Sequence, residues 1–234
     1  HRLWVSKDRS GDFEWLRADE IAEGMYFQLQ LGSVGADNEL NIEKYHPQNI
    51  KGELPKTLNE ELAKALGLFV SGGFEKGNDS LAQLFKNMGI HSRDVVPFVI
   101  RKSPQRIQAA FLASLFGGNS TGDLYHTTSE RLATEVQQML HSMGILTTKW
   151  ENEERKQWQV KVLGRSENSY FDKITSISDG GTRDCYDISV PTVENFIGNG
   201  VVCHNSVQPI QHLRQCIREG KTLNRGQIVE EFTF

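Results

Sequence analysis

The stretch NFIGNGVVCHNS (195–206) ends in His204, Asn205 and Ser206, which present an imidazole, a carboxamide and a hydroxyl in succession. That order suits a reaction on the backbone itself. The side-chain amide nitrogen of Asn205 can attack its own backbone carbonyl carbon, closing a succinimide and breaking the peptide bond to Ser206. The departing amine needs a proton, and an imidazole can supply one near neutral pH as a general acid or base. His204 is adjacent. The Ser206 hydroxyl, next in line, can accept an acyl group by nucleophilic attack. Taken alone, the tripeptide reads more readily as a solvated strand end with a structural histidine, so its surroundings must carry any other reading.

The element that carries the tripeptide is a hairpin, two apolar arms around Asn199-Gly200, the strongest short-range turn signal for paired strands. The segment from 171 to 206 reads as alternating strand and turn throughout. So does the opening of the chain: RLWV as a strand, KDRSGDF as a turn, EWLRADEIAEG as a strand running into a helical turn closed by Gly24, and MYFQLQL as an alternating strand. Neither end closes a core alone. From about Pro47 the pattern becomes helical. Asn59 is placed to cap EELAKALGLFV, with Leu62, Ala65, Leu66 and Phe69 at helical spacing and Gly72-Gly73 as the stop. Ser103-Pro104 open QRIQAAFLASLF, which Gly117-Gly118 close. Thr128 or Ser129 opens ERLATEVQQMLHSMGI, with Gly144 as its stop. After it, LTTKWENEERKQWQVKVLG reads as two strands around a charged turn.

The helical middle contains an internal repeat. LGLFVSGG (66–73) is similar to LASLFGGNS (112–120), and LFKNMGI (84–90) to MLHSMGI (139–145). Each copy is a helix ending in small residues, a connection, and a second helix ending in Met-Gly-Ile. A strand pair follows the second copy, whereas the first passes directly through HSRDVVPF into the next helix. Copy one has lost part of its sheet.

With 38% hydrophobic and 24% charged residues and a formal net charge of −4, the 234 residues describe an ordinary soluble protein, with no run long enough to span a bilayer. The first residues lack the zones of a secretory signal, and an intracellular, cytoplasmic location is expected. Cys185, Cys203 and Cys216 are an odd number without a Cys-x-x-Cys pair, which argues for reduced thiols rather than disulfides or a thiolate metal site. Residues 50–165 carry 15 Lys/Arg against 12 Asp/Glu, while the segments on either side, 1–49 and 166–205, are acidic by 4 each. A middle of separate origin fits that change of sign. An excess of +3 is far from the basic footprint that would argue for nucleic acid by itself.

YDISVPTVENFIGNGVVCHNS (186–206) resembles the C-terminal motifs of inteins, members of the Hint (Hedgehog/intein) family, and HRLWV…FEWLRADEIAEGMYF (1–27) resembles the segment in which a histidine activates the N-terminal scissile amide. The resemblance implies autocatalytic protein splicing, with His204 assisting cyclisation of Asn205, Ser206 as acyl acceptor, Asp187 tuning the proton transfers and His1 polarising the upstream amide. Glu194 stands where the family often has histidine, and its bland reading is an exposed strand-end carboxylate. The repeated helix ends resemble the signature helices of LAGLIDADG homing endonucleases, which pack through small residues and carry an acidic metal ligand at each end. Gly72 and Asn119 stand at those positions. The implied insertion is therefore degenerate, with metal-dependent DNA cleavage lost and weak DNA binding as the residual expectation.

The fold implied is mixed: an all-β, horseshoe-like Hint splicing domain interrupted by an α+β LAGLIDADG-like insertion. Its parts would be residues 1–48 and 166–205 for splicing, 49–165 for the insertion, and 206–234 for the downstream host segment, the C-extein. No cofactor or metal is implied for splicing, and Mg2+ only for a surviving endonuclease. The implied partners are the host extein and an N-terminal intein segment that carries the first nucleophile and the first strands. No membrane partner is expected. Two further readings come from other classes: a LAGLIDADG homing endonuclease or site-specific DNA-binding protein, and a β-rich domain with no chemistry.

Overall fold

The computed structural model describes residues 2–32, 38–48, 53–73, 79–165, 169–181, 190 and 195–204. In chain order the elements are β1 (Arg2–Ser6), β2 (Glu14–Arg17), β3 (Tyr26–Gln30), α1 (Glu60–Ser71), α2 (Asp79–Asn87), α3 (Phe98–Arg101), α4 (Gln105–Asn119), β4 (Ser120–Thr121), β5 (Leu124–Thr127), α5 (Glu130–Ser142), β6 (Ile145–Asn152), β7 (Gln157–Arg165), β8 (Ser169–Lys173), β9 (Asn195–Gly198) and β10 (Val201–His204). The fold is mixed α/β with antiparallel sheets. Two compact units divide it: residues 2–30 with 169–204, and residues 31–165.

The first unit is a six-stranded sheet in the order β2-β1-β10-β3-β8, with β9 paired to β10. Its strands come from the two ends of the described chain. Gln30, the last residue of β3, is the register partner of Ser169, the first of β8. Directly opposed residues in an antiparallel pair lie only about 5 Å apart at Cα. A long insertion can therefore leave and re-enter at one point of the sheet without disturbing its pairing. The turn between β9 and β10 has Asn199 at φ +51° and Gly200 at φ +86°, the two left-handed residues that a tight hairpin needs. Val5, Leu16, Leu29 and Ile174 are the buried apolar residues of this unit among those described. Beyond Lys173, residues 174–181 form no strand, so the alternating pattern read there is not used.

The second unit holds the large core cluster of the described residues, built on Leu62, Leu66, Leu84, Phe85, Ile107, Phe111, Leu115, Tyr125, Leu132 and Val160. Residues 38–48, which read in sequence with the first β segment, contribute Ile42 to that core. Caps start two of the helices: Asn59 Oδ1 accepts from the Leu62 N–H at 3.0 Å, and Ser129 Oγ from the Leu132 N–H at 3.1 Å. The repeat is visible in the geometry. Gly89 and Gly144, which follow α2 and α5 in the two Met-Gly-Ile segments, both have φ +75°. The second copy and the two strands after it build the sheet β4-β5-β7-β6, and the short β4–β5 hairpin, which lies in the connection between α4 and α5, has no counterpart in the sequence reading.

Two expectations about α4 are corrected. Pro104 is itself the N-cap, while the Ser103 hydroxyl donates back to the Val99 carbonyl at 2.7 Å. Gly117 and Gly118 do not close the helix, which runs on to Asn119. The reason lies in the packing of α1 on α4. A Cβ at Gly67 would fall 2.5 Å from the Phe111 carbonyl oxygen and 2.9 Å from Ser114 Cβ, and one at Gly118 would fall 2.6 Å from Ser71 Oγ. These glycines let two backbones approach; they do not break the helix. The glycines differ in a way that can be measured. Gly67→Ala should destabilise the protein by about 1–3 kcal/mol, because rigid backbone stands in the way. Gly117→Ala, whose Cβ would meet nothing within 4 Å, should be neutral or stabilising by roughly 0.5–1 kcal/mol through helix propensity. Urea-unfolding midpoints of the two variants against the parent test the pair.

Candidate functional site

His204 is the last residue of β10. Its register partners are Arg2 on β1 and Asn195 on β9, and the neighbouring pair is Leu3 with Cys203. The side chain is half-buried and meets the Trp15 ring edge to face, with centroids 5.2 Å apart and an interplanar angle of 87°. Trp15 packs on Trp4 at 4.9 Å, and the Trp4 indole N–H donates to Gln28 Oε1 at 2.9 Å. Next to His204, Cys203 is half-buried, its thiol donates weakly to the Val201 carbonyl at 3.5 Å, and burial pushes its pKa up. A protonated, inward thiol is the behaviour of a small core residue, as its sequence position suggests.

Of the candidate splicing residues, His204 is described; His1, Asp187, Asn205 and Ser206, together with Glu194, lie outside the described residues. His1 is bonded to Arg2 and Asn205 to His204, and Arg2 and His204 are register partners. Sequence reasoning did not single out Trp15 as part of the site. An aromatic residue in a strand reads as packing, and its approach to His204 spans two strands of the sheet.

Gly72 caps α1 in the left-handed conformation at φ +87°, its N–H donating to the Phe69 carbonyl at 3.3 Å. Asn119 is the last residue of α4. Beside these helix ends, a cavity of about 540 Å³ is lined by Arg93, Asp94, Gly118, Ser120, His126 and Arg155, among others. Magnesium needs carboxylate oxygens in octahedral array. Glycine supplies none, Asp94 stands beside Arg93, and the described residues contain no group of three or more His, Cys, Asp or Glu that could hold a metal ion. The residues present do not fit a catalytic magnesium site. The guanidinium, imidazole and hydroxyl groups of the cavity are donors suited to an anion.

Residues 106–175 match the LAGLIDADG-like domain, a homing-endonuclease family. The match begins in α4 and runs through the second repeat copy and its sheet; the first copy, 66–90, lies outside it. Replicative DNA helicase DnaB of Nostoc sp. is 30% identical over 143 residues, 56% of this chain and 14% of that protein. Those of Synechocystis sp. and Rhodothermus marinus are each 34% identical over 50 residues, 21% of this chain and 6% and 5% of those proteins. The chain thus spans 14% or less of the length of these curated relatives. Among the described residues no helix is long and apolar enough to cross a membrane.

The misfit to magnesium has a direct readout. Millimolar MgCl2 and its removal with EDTA should leave the thermal unfolding midpoint of the chain unchanged, since only a ligand that binds the folded state shifts it. Differential scanning fluorimetry in the two buffers checks this.

Proposed function

We propose that the chain is the C-terminal part of a protein-splicing element of the intein type, a Hint-like β domain interrupted by a degenerate LAGLIDADG-like unit. The observation that carries the reading is the sheet. Its strands come from residues 2–30 and 169–204, the insertion enters and leaves at the paired residues Gln30 and Ser169, and His204 ends a strand between β9 and β1. The helicase matches support it in one respect: they cover a small share of much longer proteins, the share that an element inserted in a host would match.

In the proposed reaction Asn205 Nδ2 attacks the Asn205 carbonyl carbon. The new C–N bond closes the succinimide, the bond to the Ser206 nitrogen breaks, the amide nitrogen gives up one proton, and the Ser206 amine gains one. His204 carries the proton to the leaving amine. Asp187 tunes that transfer, His1 polarises the upstream amide, and Ser206 Oγ receives the upstream acyl chain in full splicing. The substrate is the chain's own backbone, so no cofactor enters. An N-terminal segment bearing the first nucleophile completes the system, with 206–234 as the beginning of the host's downstream part and an intracellular setting.

A purified parent chain, with the N-terminal segment supplied in cis or in trans, should give spliced or cleaved products by mass spectrometry. Asn205→Ala should abolish release of 206–234, and His204→Ala should slow it by about 10²–10⁴-fold, the usual worth of a general acid or base. Absence of products, together with an Asn205→Ala variant that behaves like the parent, would sink the reading.

A second reading is favoured by the LAGLIDADG-like match and the cationic cavity at the helix ends: a DNA-binding remnant without cleavage. Short duplexes should then be retarded at low salt and released as salt rises. Supercoiled plasmid should stay intact with magnesium, and nicking by a purified sample would restore the endonuclease.

A further inference from the structure

We infer that Trp15 is a positioning residue for His204 and, resting on the splicing reading above, that it governs the rate at which the Asn205–Ser206 bond is cut. Four neighbouring rings lead to the histidine. Phe171 on β8 meets Phe13 at 4.9 Å, Phe13 meets Trp4 on β1 at 6.1 Å, Trp4 meets Trp15 on β2 at 4.9 Å, and Trp15 meets His204 on β10 at 5.2 Å. The register explains how they come to lie on one face. Trp4 is opposite Trp15, Arg2 is opposite both Arg17 and His204, and residues two apart along a strand share a face. Trp15 therefore reaches His204 diagonally across β1, past Arg2.

The arrangement suits a support better than a reactant. Indole has no acid–base chemistry near neutral pH, and an edge-to-face contact restricts the direction in which an imidazole points. Trp15 is itself held. Its neighbour Trp4 is tied to β3 by the 2.9 Å hydrogen bond to Gln28, so the wall against His204 is anchored in three strands. A general acid works only from within hydrogen-bonding reach of the atom that takes the proton. Rotation of the imidazole by one rotamer would change where its nitrogens point.

The test is a double-mutant cycle in the full 234-residue chain with the N-terminal segment supplied as above, following release of 206–234 by mass spectrometry and folding by thermal unfolding. In the parent background, Trp15→Ala should slow release by about ten- to a hundredfold, the cost of a small misplacement of a reacting group, while Trp15→Phe, which keeps a flat face, should restore most of the rate. In the His204→Ala background, Trp15→Ala should cost nothing further, because the group it orients is gone. An equal loss in both backgrounds would show a merely structural Trp15 and overturn the inference. So would a parent-like rate for a folded Trp15→Ala variant. If the parent releases nothing and His204→Ala and Asn205→Ala match it, the splicing reading itself fails and this inference falls with it.

Discussion

Strand β10 is hydrogen-bonded along one edge to β9 and along the other to β1 at Cys203 and His204 and to β3 at Val201, and both β1 and β3 come from the first 30 residues of the chain. Most of what is distinctive about the first unit follows from that seating. A strand from the far end of the sequence can be pinned by main-chain ladders only if the intervening residues leave its neighbours in place. The pairing of Gln30 with Ser169 makes this possible, because the points of departure and return are themselves partners. His204 is then held at the end of a doubly paired strand. In the proposed reaction, an imidazole that delivers a proton to one atom profits from that rigidity.

The two units reach stability by different means. The sheet of the first buries few apolar side chains and relies on its ladders and on the ring contacts among Phe13, Trp4, Trp15 and Phe171. The second buries a conventional core, in which α1 and α4 come close enough that Gly67 and Gly118 admit no Cβ. Glu135 is worked into the same unit: its buried carboxylate accepts from the Val96 N–H at 2.7 Å and from Arg131 Nε at 3.1 Å, with Arg101 at 3.4 Å. A charge so enclosed is tolerated because each oxygen has a partner. The helix ends at Gly72 and Asn119, by contrast, carry no carboxylate of their own. Gly72 supplies the left-handed cap of α1.

Much of this was legible in the residue order. Asn199-Gly200 gave the hairpin, because two left-handed residues in succession leave few other conformations open. Asn59 and Ser129 gave helix starts, since a side-chain oxygen there satisfies an orphan N–H, and the two Met-Gly-Ile segments gave matching ends. Gly117-Gly118 misled, for glycine in a sequence signals equally a stop or a close approach, and only the presence of Ser71 on the neighbouring helix tells which. The β4–β5 hairpin escaped because a two-residue strand has no period to detect.

Local chemistry and local conformation were therefore set by the sequence itself: the order imidazole, carboxamide, hydroxyl at 204–206, the turn before it, the caps and the repeat. These are properties of neighbours along the chain. Which strands lie beside β10, which glycines serve packing, and which aromatic ring stands against His204 were decided by the tertiary structure. Those contacts join residues far apart in number, 47 for Ser71 and Gly118, 189 for Trp15 and His204, and 202 for Arg2 and His204, and pairing between distant segments depends on complementary surfaces that no short window of sequence contains.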